Sequence, residues 1–284
     1  MTSGTTHRHP RRPLFTAVPA WALVPALLTL GLALAPVLAL IVRAPWGNLT
    51  QVLTSPQLLT ATGLTLGTSL TTTALAALLG TPTALVLATV LERTRHRFLV
   101  GTLYSLIYAP IIFSPVVSGL ALLFFWGRRG VLGAHLENLG LSIAYTPLAV
   151  VLAQLFVALP FFIATTVTSL RALPVECEEI ARLEGASATQ VSTRVLLPLA
   201  APGLATAALL AFARALGEYG ATITFAGNVE GATRTIPLSI ELALGSNQMD
   251  QALGAALMLI AIYLALLAWA VLIRWIFTLK GGRL

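Results

Sequence analysis

Long apolar runs alternate with short polar segments along most of the chain. A helix of about 20 apolar residues crosses the hydrocarbon core of a bilayer, and these runs reach that length. They predict six membrane spans, at residues 21–42, 58–91, 98–126, 147–170, 204–226 and 253–277. We therefore expect an all-α, polytopic membrane protein, because a helix satisfies its own backbone hydrogen bonds in lipid.

The arginines and the single lysine lie mostly at the ends of these runs, and their distribution predicts the topology. With the amino terminus inside, 12 of the 17 basic residues fall on the cytoplasmic side, 4 fall outside and Arg214 lies within a span. Cytoplasmic loops carry such an excess of Lys and Arg. We expect cytoplasmic tails at 1–20 and 280–284, a single transmembrane domain at 21–279, and a multi-pass location in the inner membrane with both termini in the cytoplasm.

Composition supports a membrane protein and excludes a nucleic-acid-binding one. Hydrophobic residues make up 57% of the chain, charged residues 10%, and the mean hydropathy is +0.89. The net charge of +7 does not form a basic face or stripe, which nucleic-acid binding requires. Cys177 is the only cysteine, so an internal disulfide is excluded.

Two prolines interrupt the third predicted span, and serines lie beside them. Pro110 and Pro115 each remove a backbone donor and crowd the preceding turn, so we expect them to interrupt the span by bending or breaking the helix. A broken helix is tolerated at membrane depth where protein or a water-filled cavity covers the freed groups. The neighbouring Ser114 and Ser118 are therefore candidate wall residues of a polar pathway.

Arg214 and Glu218 are charged residues within the fifth predicted span. They are four residues apart, so on one helix they would share a face and neutralise each other. Charges at membrane depth usually face the protein interior or a cavity. Two roles stay open for this pair: a structural ion pair, or direct contact with a translocating anion.

A polar loop, at about residues 171–203, separates the fourth and fifth predicted spans. Pro174 and three glutamates predict the start of a short helix, and Gly185 predicts its end. Ser187 followed by Gln190 is a capping box that begins a second short helix, which we expect to end before Pro198. The alternative is an amphipathic hairpin on the membrane surface, but such helices usually carry Lys and Arg, whereas this one is acidic.

The polar loop resembles the EAA loop of ABC importer permeases. The matching residues are Glu179-Ile-Ala181, Gly185 six positions later, and Val195-Leu-Leu197-Pro198, with Ile180 and Val195 replacing the usual alanine and isoleucine. In that family the loop forms a coupling helix that sits in a cleft of the ATP-binding subunit. The resemblance implies that the ATPase-coupling residues are Glu178, Glu179, Ala181, Gly185, Ala186 and Ser187.

A second stretch resembles the permeases of molybdate and tungstate importers, with sulfate and thiosulfate permeases as close relatives. It comprises GEYGATITFAGN from Gly217 and TRTIPL from Thr233. The resemblance implies a type I ABC importer permease fold, a homodimer, two cytoplasmic ATPase subunits that bind ATP and Mg, and an extracytoplasmic oxyanion-binding protein. The candidate pathway and gate residues are Ser114, Ser118, Arg214, Glu218, Tyr219 and Thr222.

The sequence offers this chain no catalytic chemistry of its own. A phosphate-binding P-loop needs a Gly-Lys pair, and the one lysine, Lys280, lies in the tail. The four histidines are scattered, so we expect no metal site and no cofactor in this chain. The alternatives to a molybdate or tungstate permease are a sulfate or thiosulfate permease and an ATP-independent secondary transporter that uses Arg214 and Glu218. An intramembrane enzyme ranks last, because histidine is absent from every predicted span.

Overall fold

The computed structural model describes residues 20–93 and 97–281, which form helices and contain no strand. The chain divides into two compact units, residues 1–44 and 45–284. The predicted tails lie outside the described residues, apart from residue 20 and residues 280–281, which are helical. The predicted domain boundaries therefore stay a prediction.

The first unit contains one described helix, α1 (Ala20–Val42), which coincides with the first predicted span. Its residues are apolar almost throughout, as expected of a helix in lipid. Pro25 and Pro36 lie inside the helix without ending it.

The second unit contains the remaining helices in chain order. They are α2 (Leu49–Leu53), α3 (Pro56–Arg93), α4 (Arg97–Ile112), α5 (Pro115–Trp126), α6 (Gly133–Asn138), α7 (Pro147–Arg171), α8 (Val175–Leu183), α9 (Ala188–Gln190), a π-helical stretch (Val191–Leu196), α10 (Leu197–Leu216), α11 (Gly220–Phe225), α12 (Ile236–Gly245) and α13 (Met249–Gly281). Within the described residues, five helices are long and apolar enough to cross a membrane, or six when the α4–α5 pair counts as one span. The predicted all-α architecture with about six spans is confirmed.

α7 is the central helix of the second unit. More than half of its most apolar stretch, 56%, is buried by protein, whereas the corresponding figure for α13 is 6%. α3 and α10 pack against α7 through small side chains such as Ala76, Ala158 and Ala211 around Phe162. Small residues allow membrane helices to approach closely, which explains why these alanines form the core.

A buried polar contact joins α3 to α7. The Gln154 side chain on α7 is 1% exposed; its Nε2 donates to Ser69 Oγ at 3.4 Å, and its Oε1 accepts from Thr72 Oγ1 at 3.1 Å. Hydrogen bonds between helices stabilise packing where no water competes. The hydroxyl-rich face of α3 therefore faces protein.

The third predicted span is a bent pair of helices. α4 and α5 meet at 117°, with Phe113 and Ser114 between them. Pro115 is the first residue of α5, where its missing N–H costs nothing, while Pro110 lies inside α4. The helix does not break at Pro110, and the predicted interruption at Pro115 is confirmed.

The fifth span differs from the prediction at both ends. The helix does not stop before Pro198: it continues from α9 through the π-helical stretch into α10. A widened turn relieves the clash between a proline ring and the carbonyl four residues earlier, which explains how the helix passes Pro198. At the other end, α10 stops at Leu216, and Gly217–Tyr219 separate it from α11. The predicted uninterrupted span to residue 226 is therefore wrong.

The predicted outer loop between the fifth and sixth spans contains α12. Ile236 and Leu238 of this helix are fully buried, and the Ile236 N–H donates to Thr65 Oγ1 of α3 at 2.8 Å. The segment is thus a packed part of the bundle rather than a loop. Pro237 in the first turn of α12 was the sequence signal for a helix start.

Candidate functional site

α8 ends in a hydrogen-bonding pattern that requires Gly185. The Gly185 N–H donates to the Arg182 carbonyl and the Ala186 N–H to the Ala181 carbonyl, both at 3.0 Å. This Schellman pattern needs a residue with positive φ, and Gly185 has φ +83°. The backbone conformation therefore explains the glycine at this position. Lack of space does not explain it, since a Cβ there would meet no atom within 4 Å.

The second half of the polar loop begins with the capping box predicted from the sequence. Ser187 Oγ accepts from the Gln190 N–H at 3.3 Å, and the Gln190 side chain accepts from the Ser187 N–H at 2.8 Å. The two backbone N–H groups, which have no partner within the helix, are therefore both hydrogen-bonded. The turn at Gly185 and the cap at Ser187 thus define the connection between α8 and α9. Ala186 is the single residue between Gly185 and Ser187.

α8 exposes apolar side chains that the sequence analysis did not select. Leu183 is 87% exposed and Ile180 is 61% exposed, although both are aliphatic. Glu179 is also exposed, whereas Glu178 accepts from Nη2 and Nε of Arg182 at 2.7 and 2.8 Å. Together with Val175, which is 63% exposed, these side chains leave apolar surface on α8 that a partner protein could cover. The signal in the sequence was the presence of Val175, Ile180 and Leu183 on a short helix that also carries three glutamates and an arginine.

The polar loop is attached to the transmembrane core at both of its ends. Leu173, before α8, and Leu196, before α10, pack against a cluster that includes Leu87 of α3, Val167 of α7 and Ala200 of α10. The two ends of the polar loop therefore pack directly against three long helices.

Ser114 and Ser118, the candidates on the bent pair, have different surroundings. Ser114 is the N-cap of α5, and its Oγ accepts from the Val117 N–H at 3.3 Å. Ser118 is fully buried, and its Oγ has no hydrogen-bond partner within the described part of the chain. Ser114 thus has a structural role as a cap, and Ser118 has an uncommitted buried hydroxyl.

α5 packs tightly against α11, which carries Thr222. A Cβ on Gly220 would overlap Pro115, and one on Gly119 would overlap Thr224. Thr222 is fully buried, and like Ser118 it has an Oγ without a hydrogen-bond partner among residues 20–93 and 97–281. The structure therefore brings the helices of Ser118 and Thr222 together.

Arg214 and Glu218 form an ion pair across the break between α10 and α11. Arg214 Nη1 lies 2.7 Å from Glu218 Oε2, and the Ala221 N–H donates to Glu218 Oε1 at 2.8 Å. The predicted pairing is confirmed, but the predicted geometry is wrong, because Glu218 lies beyond the end of α10. Glu218 instead links the last turn of α10 to the first turn of α11.

Burial is unequal across this ion pair. The Glu218 side chain is 1% exposed and that of Arg214 is 31% exposed. Tyr263 of α13 contacts the last turn of α10, before the break between α10 and α11. Its hydroxyl donates to the Ala213 carbonyl at 3.1 Å. The neighbouring Tyr219 is 39% exposed, which makes it the most accessible of the pathway candidates in this joint. Tyr263 was not selected from the sequence, because nothing in its local pattern indicates a contact 50 residues away.

The coupling residues of the polar loop and the Arg214–Glu218 ion pair lie at opposite ends of α10. Its 20 residues correspond to about 30 Å of helix, with the polar loop before it and the Arg214–Glu218 joint at its end. No group of three or more His, Cys, Asp or Glu side chains able to hold a metal ion occurs among the described residues.

Residues 80–279 match the family described as binding-protein-dependent transport system inner membrane component. A Mycobacterium tuberculosis protein named molybdenum transport system permease protein ModB is 41% identical over 247 residues, which cover 87% of this chain and 91% of that protein. A Synechocystis protein named sulfate transport system permease protein CysW is 36% identical over 150 residues, which cover 53% of this chain and 54% of that protein.

The fold is also similar to that of a solved structure. A chain of a bacterial alginate ABC transporter, crystallised with an alginate pentasaccharide-bound periplasmic protein, superposes with a TM-score of 0.64 and 18% identity. The superposition covers 88% of this chain and 92% of that chain. At this identity the likeness establishes the fold alone, and it confirms the expected transporter fold.

Proposed function

Because this chain belongs to the family of binding-protein-dependent transport system inner membrane components, we propose that it is the permease subunit of an ATP-driven importer of a tetrahedral oxyanion. Molybdate is the first candidate substrate and tungstate the second. The proposal is carried by the 41% identity to a molybdenum transport permease over 87% of this chain. The chain is a multi-pass inner-membrane protein, and we propose that both termini and the polar loop lie in the cytoplasm.

The importer that we propose contains two copies of this chain, two ATPase subunits and an extracytoplasmic oxyanion-binding protein. ATP and Mg bind to the ATPase subunits, and this chain conducts and gates without catalysis of its own. Closure of the ATPase dimer moves the two polar loops together, the spans open outward to accept the oxyanion, and hydrolysis resets them.

α8 is the coupling helix in this proposal. Its exposed Ile180 and Leu183 and the adjacent Glu179 would enter a cleft of the ATPase subunit, burying apolar surface that water now contacts. The Gly185 turn and the Ser187 capping box make the loop a rigid unit. Movement of α8 then reaches α3, α7 and α10 through the leucines at both ends of the loop.

The pathway in this proposal lies beside the two broken spans, α4–α5 and α10–α11. Pro115 is in close contact with Gly220, so α5 and α11 are closed against each other in this conformation. The Arg214–Glu218 ion pair serves as the joint that holds α11 at the end of α10, and Tyr219 presents its side chain to the pathway. Ser118 and Thr222 supply hydroxyls that become available to an oxyanion only when α5 and α11 separate.

Sulfate is the second candidate substrate, because the Synechocystis sulfate permease shares 36% identity over 150 residues. Its match covers 53% of this chain, compared with 87% for the molybdenum relative, which favours molybdate. A secondary transporter driven by Arg214 and Glu218 is disfavoured, because both side chains are committed to the α10–α11 joint.

Competition between oxyanions tests the substrate. The chain is co-expressed with its ATPase and binding protein, and uptake of radiolabelled molybdate is measured with tungstate, sulfate or thiosulfate as competitor. We expect tungstate to compete at concentrations similar to molybdate and sulfate to need a large excess. Sulfate competing more strongly than tungstate would replace molybdate by sulfate as the substrate.

Paired glutamate variants test the coupling helix. Glu179→Ala removes the exposed carboxylate of α8 and is expected to reduce both co-purification of the ATPase and molybdate uptake. Glu137→Ala, on α6 outside the polar loop, is the matched control and should leave both unchanged. Equal behaviour of the two variants would contradict the docking role of α8.

A further inference from the structure

A cavity of about 430 Å³ with both apolar and polar lining residues lies between α2, α12 and the N-terminal parts of α3 and α13. Arg234 is the one charged residue of its lining, and no aspartate or glutamate belongs to that lining in the described part of the chain. We call this cavity the Arg234 pocket. Its other polar lining residues carry amide or hydroxyl groups: Gln51, Ser55, Gln57, Ser239, Gln248 and Gln251.

The Arg234 guanidinium is held in place before any ligand arrives. Its Nε donates to Asn228 Oδ1 at 2.9 Å, and the Asn228 Nδ2 donates to the Leu238 carbonyl of α12 at 3.0 Å. The Arg234 side chain is 18% exposed. A guanidinium carries five N–H donors in a fixed plane that matches the edge of an oxyanion. An arginine fixed in this way loses little conformational entropy on binding an anion.

Glu230 is the acidic residue that faces Arg234, and it lies outside the pocket lining. Arg234 Nη1 donates to Glu230 Oε2 at 2.9 Å, and the Glu230 side chain is 59% exposed. The carboxylate is therefore well hydrated, and an ion pair with a hydrated partner contributes little stability. A doubly charged oxyanion that enters the pocket can therefore replace the Glu230 carboxylate at the guanidinium.

The Arg234 pocket lies at the opposite end of α3 from the polar loop. Leu58 lines this pocket, whereas Leu85 lies beside Pro174 and Val175 of the polar loop. The 27 residues between these two leucines correspond to about 40 Å of helix, more than the hydrocarbon thickness of a bilayer. If the polar loop meets the ATPase, the pocket is on the side where the oxyanion is delivered.

We propose that the Arg234 pocket is a weak entry site for the transported tetrahedral oxyanion, separate from the residues of the broken spans. The inference rests on the proposed function, because that function determines the anion and the side of delivery. Arg234 binds the anion directly, and the amide and hydroxyl groups bind the water that the anion keeps. The pocket is larger than one bare oxyanion, so the anion enters with part of its hydration shell.

The test measures binding of molybdate to the complex of permease and ATPase without the binding protein. The complex is placed in nanodiscs of phosphatidylcholine, and bound molybdate is quantified by equilibrium dialysis and elemental mass spectrometry. Three variants are compared with the parent: Arg234→Gln and the control Arg129→Gln on the loop after α5, which each remove one positive charge, and Glu230→Gln, which removes one negative charge.

The proposal predicts opposite effects for the two partners of the ion pair. Arg234→Gln should weaken molybdate binding by on the order of tenfold or more, because a charged hydrogen-bond donor is lost. Glu230→Gln should tighten it by about threefold, because the competing carboxylate is lost. Arg129→Gln should leave binding unchanged. If Arg234→Gln fails to assemble, the Glu230→Gln result alone decides, and unchanged or weaker binding in that variant overturns the proposal.

Two further outcomes overturn this inference and leave the proposed function intact. In the first, the parent complex takes up molybdate in an ATP-dependent way, but Arg234→Gln binds molybdate as well as the parent does. The other is loss of molybdate binding when phosphatidylglycerol is added to the nanodiscs, which would identify a lipid phosphate as the occupant. Absence of ATP-dependent oxyanion uptake by the parent complex would instead contradict the proposed function itself.

Discussion

The Arg214–Glu218 ion pair gives an asymmetric prediction for stability. Arg214→Gln leaves a carboxylate that is 1% exposed and that keeps, among the described residues, the Ala221 N–H as its hydrogen-bond donor. Breaking a buried ion pair by removing one partner costs about 3–5 kcal/mol. Glu218→Gln costs less, about 1–3 kcal/mol, because the amide oxygen still accepts from Ala221 and the 31% exposed Arg214 keeps part of its hydration.

The free energy of unfolding of each variant is measured in detergent micelles by SDS titration. The double variant Arg214→Gln/Glu218→Gln should recover at least half of the stability that Arg214→Gln loses, because no unpaired charge remains buried. Arg182→Gln is the matched control, since it removes an ion pair of the same spacing with Glu178. Both side chains of that pair are partly exposed, at 44% for Arg182 and 27% for Glu178, so the change in stability should be at most about 1 kcal/mol.

The reasoning would be refuted if both single variants unfolded like the parent while molybdate uptake was lost. That result would place the ion pair in contact with the oxyanion rather than in the joint between α10 and α11. Equal destabilisation by the two single variants would also contradict it, since unequal burial of the two groups is the basis of the prediction.

Three further substitutions test other parts of the account. Gly185→Ala forces an alanine to φ +83° at a cost of about 1–2 kcal/mol and should reduce ATPase co-purification, whereas the control Gly47→Ala should not. Gly220→Ala pushes α11 away from Pro115 and should lower the thermal unfolding midpoint, with a loss of about 1–3 kcal/mol; an unchanged midpoint would disprove the close contact. Thr65→Val leaves the buried Ile236 N–H unpaired at a cost of about 1–3 kcal/mol, and hydrogen exchange in α12 should accelerate; unchanged exchange would show that Thr65 does not hold α12.

The sequence predicted those features that depend on local patterns. The spans follow from apolar length, the turn at Gly185 from the need for positive φ, and the capping box at Ser187 from a three-residue spacing. Each of these signals lies within one short segment, so no knowledge of the tertiary fold was required.

The predictions that were wrong depended on contacts between distant segments. The end of α10 at Leu216 is fixed in part by Tyr263, which lies 50 residues from its hydrogen-bond partner Ala213. α12 is held by Thr65, 171 residues from Ile236. Pro198 looked like a helix end, because proline usually is one, but a π-helical stretch allows the helix to continue.

The sequence motifs selected candidate residues for the site, and the structure shows the surroundings of each one. Ser114 was selected as a pathway residue, and the structure shows that it caps α5. Leu183 was overlooked, because an isolated leucine is usually a core residue, whereas here it is 87% exposed. The Arg234 pocket could not be seen in the sequence, since its lining comes from four separate helices and the turn that precedes α12.

The most direct test of the central claim is ATP-dependent molybdate accumulation in proteoliposomes that contain this chain and its ATPase. ATP is enclosed with the nucleotide sites of the ATPase facing the lumen, and molybdate-loaded binding protein is added outside. The account predicts accumulation that requires enclosed ATP and stops when the ATPase is inactivated. Molybdate uptake that persists with an inactive ATPase, or uptake that follows only its concentration gradient, would contradict the account.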